Sequence, residues 1–242
     1  MAKFGIIGHK GRMGRAIIDA LGDGPHNYCA GVDAGGNVNA VARQCDVLVD
    51  FSAPDALEAN VGAAVRAGTP ILIGTTGLEQ VHFDAIADAA ATIAVIQTGN
   101  TSLGVTLLAH LVREAASRLG PEWDIEVLEM HHRHKVDAPS GTARLLGEAA
   151  AEARGIDLED HTQSGRDGHT GPRPEGAIGF AALRGGTVAG DHSVIFAGTE
   201  EVVTLSHSAQ DRTIFARGAV RGGAWLIGKA AGRYTMNGVL GI

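Results

Sequence analysis

The chain is 242 residues long, 45% hydrophobic and 19% charged, enough for one large domain or two small ones with a sizeable core. Its formal net charge of −7 argues against nucleic acid and against an anionic membrane surface as partners, so an anionic ligand must be captured by a local basic site. No apolar run approaches the ~18 residues of a membrane span, and Met1–Gly8 is too short and glycine-interrupted for a signal peptide, so a cytoplasmic location is expected.

In chain order, Phe4–Ile7 reads as a buried strand, Gly8–Gly14 as a turn and Arg15–Leu21 as a helix. Tyr28–Val32 is a second strand, closing on Asp33. The glycines at 8, 11 and 14 follow a G-x-x-G-x-x-G spacing. Such a loop turns tightly, lets backbone approach a pyrophosphate and lets helix pack close to strand. Asp33 stands where a carboxylate accepts hydrogen bonds from adenosine ribose hydroxyls. Ala34 follows it where a 2′-phosphate binder would favour arginine, which tilts the choice to NADH; Lys10 and Arg12 leave NADPH open. Cys29 and Cys45, with no C-x-x-C spacing, read as buried free thiols.

The alternation continues. A short helix ends near Val41–Arg43, Cys45–Phe51 is a third strand, Pro54–Ala67 a helix, Pro70–Ile73 a fourth strand, Leu78–Ala91 a helix and Ile93–Ile96 a fifth strand. Near-continuous apolar strands separated by helices mean a parallel sheet, whose ligands lie beyond the strands' carboxyl ends. His9, Lys10, Gly11, Arg12 and Met13 join Gly8 in the first of these ends. Asp33, Phe51, Gly74-Thr75-Thr76 and Thr98-Gly99-Asn100-Thr101 occupy the others, as candidate cofactor contacts.

After the helix Leu103–Leu119 the grammar changes. Trp123–Met130 alternates apolar and polar residues, Thr142–Arg154 is helical with Ser140 as N-cap, and Asp157–Gly176 is a long polar loop. Ile178–Arg184, Thr187–Val188, His192–Gly198 and Glu201–His207 read as strands, and Arg217–Arg233 as a Gly/Ala-rich helix returning to the first domain. The fold class is therefore α/β: an N-terminal Rossmann-like doubly wound parallel sheet with a C-terminal α+β domain built on a mixed open sheet. The domains are 1–101 with 216–242 for a dinucleotide, and 102–215 for substrate and oligomerisation.

Within the second domain, Glu129–Ala143 carries the chemistry. His131, His132, His134 and Lys135 crowd beside Arg133, and Ser140-Gly141-Thr142 opens a helix whose N–H groups and dipole attract anions. Imidazole suits proton transfer near neutral pH, and Lys135 suits a carboxylate. His134 reads as structural, Arg133 as an ion-pair partner for Glu129 or another acid, Asp137 as a turn cap, and His192 and His207 as structural strand residues.

These marks, with Gly74-Thr75-Thr76-Gly77, Asn100-x-Ser102-x-Gly104-Val105, Gly190-x-His192 and Arg212-x-x-Phe215-Ala216, closely resemble the 4-hydroxy-tetrahydrodipicolinate reductase (dihydrodipicolinate reductase) family of the diaminopimelate–lysine pathway. The resemblance spans nearly the whole chain, and Glu129–Ala143 is its most specific part. It implies reduction of a cyclic imine dicarboxylate by NADH or NADPH. It casts His131 as proton donor and acceptor, Lys135 as a second donor, and His132, Ser140, Gly141 and Thr142 as substrate contacts. It also implies a homotetramer assembled through the C-terminal sheet, and no metal. Two other classes fit the residues: a metal-dependent hydrolase using Glu129, His131, His132 and His134, and a non-catalytic nucleotide-sensing module that keeps the glycine loop alone.

Overall fold

A computed structural model describes residues 1–242. The chain divides into two compact units, Met1–Leu103 with Thr213–Ile242, and Gly104–Arg212. The first opens with β1 (Lys3–Ile7), α1 (Arg12–Gly22), β2 (Asn27–Val32), α2 (Val38–Gln44) and β3 (Val47–Asp50). A single 3-10 turn, Pro54–Ala56, runs into α3 (Leu57–Ala67), followed by β4 (Ile71–Ile73), α4 (Gln80–Ala90) and β5 (Ala94–Gln97). The second unit holds α5 (Leu103–Arg118), β6 (Asp124–His131), α6 (Gly141–Arg154), α7 (Leu158–His161), β7 (Thr162–Ser164), β8 (Ile178–Arg184), β9 (Gly190–Ala197) and β10 (Val202–Ala209). The chain then returns through α8 (Thr213–Leu226), β11 (Gly232–Tyr234) and α9 (Met236–Leu240).

The first sheet is wholly parallel, in the order β11-β5-β4-β3-β1-β2. Its central strands are apolar on both faces because helices cover both: Val47, Leu48, Val49, Ile71, Leu72 and Ile73 are all buried. One face packs with Leu57, Val61 and Ile86, the other with Ile17, Leu21, Ala219 and Leu226. Strand order reverses between β1 and β3, since β2 lies on one side of β1 and every later strand on the other. That reversal opens a crevice at the strands' carboxyl ends.

The second sheet is mixed, in the order β10-β9-β6-β8-β7, with β6 parallel to β8 and antiparallel to β9. Residues of β6 alternate strictly between one buried and one half-buried face. The buried face meets Leu108, Val112, Leu146 and Ala150 of α5 and α6 around Phe180, Val194 and Phe196. Ser140 caps α6 through its side chain, which accepts the Ala143 N–H at 3.1 Å, and Gly155 ends the helix with a left-handed residue at φ 66°.

Several sequence expectations shift. The first helix begins at Arg12 rather than Arg15, directly out of the glycine loop. Asp157–Gly176 is not all loop, since it contains α7 and β7. Thr187–Val188 is not a strand; the Val188 carbonyl instead holds the His132 N–H at 2.8 Å. The helix expected over Arg217–Arg233 stops at Leu226, with Gly228 in the left-handed region beyond it, and Gly232–Tyr234 pairs with β5 as a sixth strand. Cys45 is buried, but Cys29 is exposed. No helix is long and apolar enough to cross a membrane.

The return helix packs tightly on the first unit. A Cβ on Gly218 of α8 would collide with the Thr101 carbonyl oxygen, a backbone atom that cannot swing aside. Thr101 is also tied there by its hydroxyl, which donates to the Phe215 carbonyl at 2.7 Å. Gly218→Ala is expected to cost about 1–3 kcal/mol of unfolding free energy by overpacking, read as a lower urea midpoint at unchanged slope.

Candidate active site

Register turns the alternation of β6 into a chemical gradient. Its inward residues are Ile125, Val127, Glu129 and His131. Beside them β9 places Phe196, Val194 and His192, and β8 places Ile178, Phe180, Ala182 and Arg184. One continuous face thus begins apolar and ends titratable, at the carboxyl end of β6.

Glu129 is the hub of that end and is 1% exposed. Arg184 grips it with both guanidinium nitrogens, at 2.7 Å to Oε2 and 2.8 Å to Oε1. His131 Nδ1 lies 2.6 Å from Oε2, and the Ser140 N–H donates to Oε1 at 3.0 Å. Burial pushes the carboxyl's pKa up, but the hydrogen bonds from Arg184, His131 and Ser140 outweigh it, and the net shift is downward. Glu129 is therefore an anion, and its partner is Arg184 rather than Arg133, which is exposed. Asp137 does not merely cap the turn: both its oxygens accept from Lys135.

His131 is buried with it, edge-on to His192 at 5.0 Å between ring centroids. His192 Nε2 shares a hydrogen bond of 3.1 Å with Ser140 Oγ, so two imidazoles, one carboxylate and the cap of α6 form one network. Burial drives the His192 pKa down to about 4, with the neighbouring His131 adding to it. His192 is neutral at pH 7.

The rim is built from the turn after β6. The N–H groups of His132 and Arg133 donate to the carbonyls of Val188 and Gly186. His132 Nε2 meets an Arg212 guanidinium nitrogen at 2.9 Å. Partial desolvation, then Arg212 and the imidazoles and Lys135 around it, lower the His132 pKa. The Lys135 ammonium sits 2.8 Å from both oxygens of Asp137 and holds that carboxyl below its usual range. Gly141 and Thr142 form the first turn of α6, where the N–H groups lack helical partners and no Cβ crowds the Gly141 side. Expected substrate residues therefore fall in two layers, His131 and Ser140 inside, His132, Lys135, Gly141 and Thr142 at the edge.

The expected nucleotide residues stand at the carboxyl ends of the first unit's strands, with Thr75 and Thr101 buried there. Gly8, at φ +82°, comes so close to the chain after β3 that a Cβ would lie 2.6 Å from the Phe51 carbonyl oxygen. Gly14 packs α1 against the loop, its missing Cβ filled by the Gly8 carbonyl. Gly11 is the N-cap of α1 and has no side-chain cap, so the first-turn N–H groups there suit a phosphate. A Cβ on Gly74 would overlap the Phe51 ring, and Thr76 approaches Gly99. The loops after β1, β3, β4 and β5 are thus contiguous. Asn100 N–H and Thr98 Oγ1 join at 3.1 Å, folding 98–102 into a tight turn. Lys10, Arg12 and Thr76 are exposed, whereas Met13 turns its side chain toward the core. These features fit a dinucleotide.

Three residues escape a sequence reading, and Glu129, read there as a partner for Arg133 or a metal ligand, pairs with one of them. Arg184 and Arg212 stand in the sequence only as a strand end and a family mark, because nothing in the spacing pairs residues 55 and 80 positions apart. Asp50 is the third. It is wholly buried at the end of β3 and accepts from Ser52, Asn60 and Thr75, so it ties two of the crevice loops together. Burial raises its pKa against those hydrogen bonds. An acid closing an apolar strand was the available signal.

The donor set around Glu129 also bears on a metal. Its oxygens are taken by a bidentate guanidinium and two N–H donors, which a divalent cation would have to displace, and no cluster of His, Cys, Asp and Glu with metal-binding geometry occurs.

Comparison with known proteins agrees with this anatomy. The family models described as dihydrodipicolinate reductase, N-terminus, and dihydrodipicolinate reductase, C-terminus, match residues 2–101 and 104–240. The 4-hydroxy-tetrahydrodipicolinate reductase of Zymomonas mobilis is 50% identical, over 99% of this chain and 97% of that protein. That of Beijerinckia indica is 47% identical, over 99% and 97%. Among solved structures, a dipicolinate-bound dihydrodipicolinate reductase from Paenisporosarcina sp. TG-14 superposes with a TM-score of 0.79 at 21% identity, covering 97% of each chain.

The buried network makes stability depend on acid. His192 has a folded pKa near 4 against 6.5 when unfolded, so the unfolded chain binds the extra proton as pH falls between those values. Stability should drop by about 2–3 kcal/mol over that window from this group alone. His192→Gln should flatten that part of the pH–stability curve measured by urea unfolding; an unchanged slope would show that His192 is not buried as a neutral ring.

Proposed function

This chain belongs to the dihydrodipicolinate reductase family, and from that premise we propose that it reduces 4-hydroxy-tetrahydrodipicolinate, through the cyclic imine formed on loss of water, to tetrahydrodipicolinate. The observation that carries the reading is the Glu129–His131 pair beside the basic turn and the N-terminus of α6. Residues 1–101 and 216–242 bind the nucleotide, and residues 102–215 bind the diacid. The nicotinamide, as NADH or NADPH, supplies a hydride to a ring carbon.

The rest belongs to the chain's own side chains. A diacid needs two anion sites in a protein of net charge −7. The first turn of α6, at Ser140, Gly141 and Thr142, offers one through the positive end of the helix dipole. Lys135 and His132, backed by Arg212, offer the other. Lys135 is engaged with Asp137 and exchanges that carboxylate for the substrate's.

As hydride arrives, negative charge develops along the conjugated system and a proton must meet it. Glu129 accepts the Nδ1–H of His131 and so leaves Nε2 as the exchanging atom. Nε2 lies against Gly190, where a Cβ would come within 3.0 Å of it, so the glycine leaves the ring its place. The Glu129 anion stabilises the imidazolium before transfer, and Arg184 keeps Glu129 ionised and in place. Lys135 is a second proton source at the rim.

We also infer that the chain assembles as a homotetramer through the second sheet. Its outward face carries Leu128, Met130 and Ile195, together with Leu183 at 49% and Val202 at 61% exposure. Light scattering of purified protein should return a four-chain mass.

The direct test supplies the upstream synthase product to purified protein and follows NADH and NADPH oxidation separately; no oxidation of either would refute the assignment. His131→Ala should lower kcat by about two to four orders of magnitude with nucleotide affinity nearly unchanged. Lys135→Ala should lower kcat and raise KM together. Glu129→Gln should lower kcat by about one to two orders while KM moves little, because the imidazole loses its counter-charge and not its substrate contacts.

A further inference from the structure

Two neighbouring imidazoles at the end of β6 are held by opposite charges. His131 Nδ1 faces the Glu129 carboxylate at 2.6 Å, whereas His132 Nε2 faces a guanidinium nitrogen of Arg212 at 2.9 Å. Arg212 stands 80 positions further on, in the turn between β10 and α8, and both residues belong to the second unit. The backbone sets the place of the His132 ring. Its N–H donates to the Val188 carbonyl at 2.8 Å, and its carbonyl accepts the Lys135 N–H at 3.1 Å. What Arg212 adds is a choice between the two ring nitrogens.

A guanidinium has donors and no acceptor, and it stays charged in a protein. The contact therefore runs one way: Arg212 donates, and the Nε2 lone pair of His132 accepts. A ring that accepts at Nε2 carries its single proton on Nδ1. A proton on Nε2 would set one N–H against another, and in a charged ring one cation against another. The His132 pKa agrees in direction. It is lowered, first by partial desolvation and then by Arg212, with His131, His134 and Lys135 adding to it. The electrostatics at His131, where Glu129 stabilises an imidazolium, are reversed one residue on.

We propose that Arg212 is a positioning residue: by donating to His132 Nε2, it fixes that ring as a neutral donor that meets a substrate carboxylate through Nδ1–H. This role rests on the reduction proposed above and on the place of His132 in one of its two anion sites. It divides the work of the histidine pair. His131, backed by a carboxylate, exchanges a proton with the reacting ring. His132, backed by a guanidinium, keeps its own proton and only binds. An ionised carboxylate, which accepts and does not donate, matches the nitrogen that His132 presents.

Nitrogen NMR of histidine-labelled protein at neutral pH, with the His132 signals assigned from His132→Asn, reads the ring before any ligand is added. The wild type should show a protonated Nδ1 and an unprotonated, hydrogen-bonded Nε2. Arg212→Met removes the donors of an exposed side chain, and the proton should then spread to Nε2 and the ring titrate at higher pH. In steady-state kinetics Arg212→Met should raise KM for 4-hydroxy-tetrahydrodipicolinate about two- to tenfold with kcat nearly unchanged, as loss of a contact made alike in ground and transition states. His132→Asn puts an amide near the Nδ1 position that needs no arginine, so adding Arg212→Met to it should raise KM no further. A wild-type His132 proton on Nε2, or a proton on Nδ1 that Arg212→Met leaves in place, would overturn the proposal. So would a fall in kcat with KM unmoved. An undiminished effect of Arg212→Met in the His132→Asn background would overturn it too, because Arg212 would then meet the substrate itself. No turnover by the wild type would instead overturn the reading of the reaction.

Discussion

A single buried carboxylate organises the second unit. Glu129 sits where the apolar face of β6 runs out, and a buried charge is tolerated only when its oxygens are fully engaged. Arg184 from β8, the His131 ring two residues on and the Ser140 N–H at the start of α6 engage them. Three elements are thereby held in one relation: the end of β6, the end of β8 and the N-terminus of α6. Loss of any one donor leaves a charge without its counterpart, so the network that orients the imidazole also locks the sheet to its helix. Stability and chemistry are coupled through the same atoms.

The first unit answers a different constraint. Strand order reverses between β1 and β3, and the loops that meet there come close at glycines. Gly8 against the Phe51 carbonyl and Gly74 against the Phe51 ring bring backbone where side chains would otherwise stand. Asp50, buried beneath, fixes the loops from below. The crevice is a surface of peptide groups and small polar side chains, suited to a long, multiply hydrogen-bonded cofactor.

Much of this was legible in the residues, for identifiable reasons. Strands such as Val47–Asp50 and Ile71–Ile73 are apolar on both faces, and alternation in Asp124–His131 marks a sheet with one open face. Ser140 reads as an N-cap because Ser-x-x-Ala before an apolar stripe leaves its hydroxyl a backbone N–H to accept. Gly232–Tyr234 is illegible for the converse reason: three residues with one aromatic carry no period, and only pairing to β5 makes them a strand. Thr187–Val188 is β-prone but serves as a backbone acceptor for His132. Arg184 and Arg212 are invisible because their partners are long-range. The family resemblance supplied roles for His131 and Lys135; it did not supply the carboxylate behind one or the aspartate in front of the other.

The central claim is that Glu129 holds the His131 ring with its proton on Nδ1, leaving Nε2 to exchange with the reacting ring. Nitrogen NMR of histidine-labelled protein at neutral pH, with the His131 signals assigned by comparison with His131→Gln, measures this directly. The account predicts a protonated, strongly hydrogen-bonded Nδ1 whose signal moves sharply in Glu129→Gln. A neutral ring carrying its proton on Nε2, unchanged by Glu129→Gln, would contradict it.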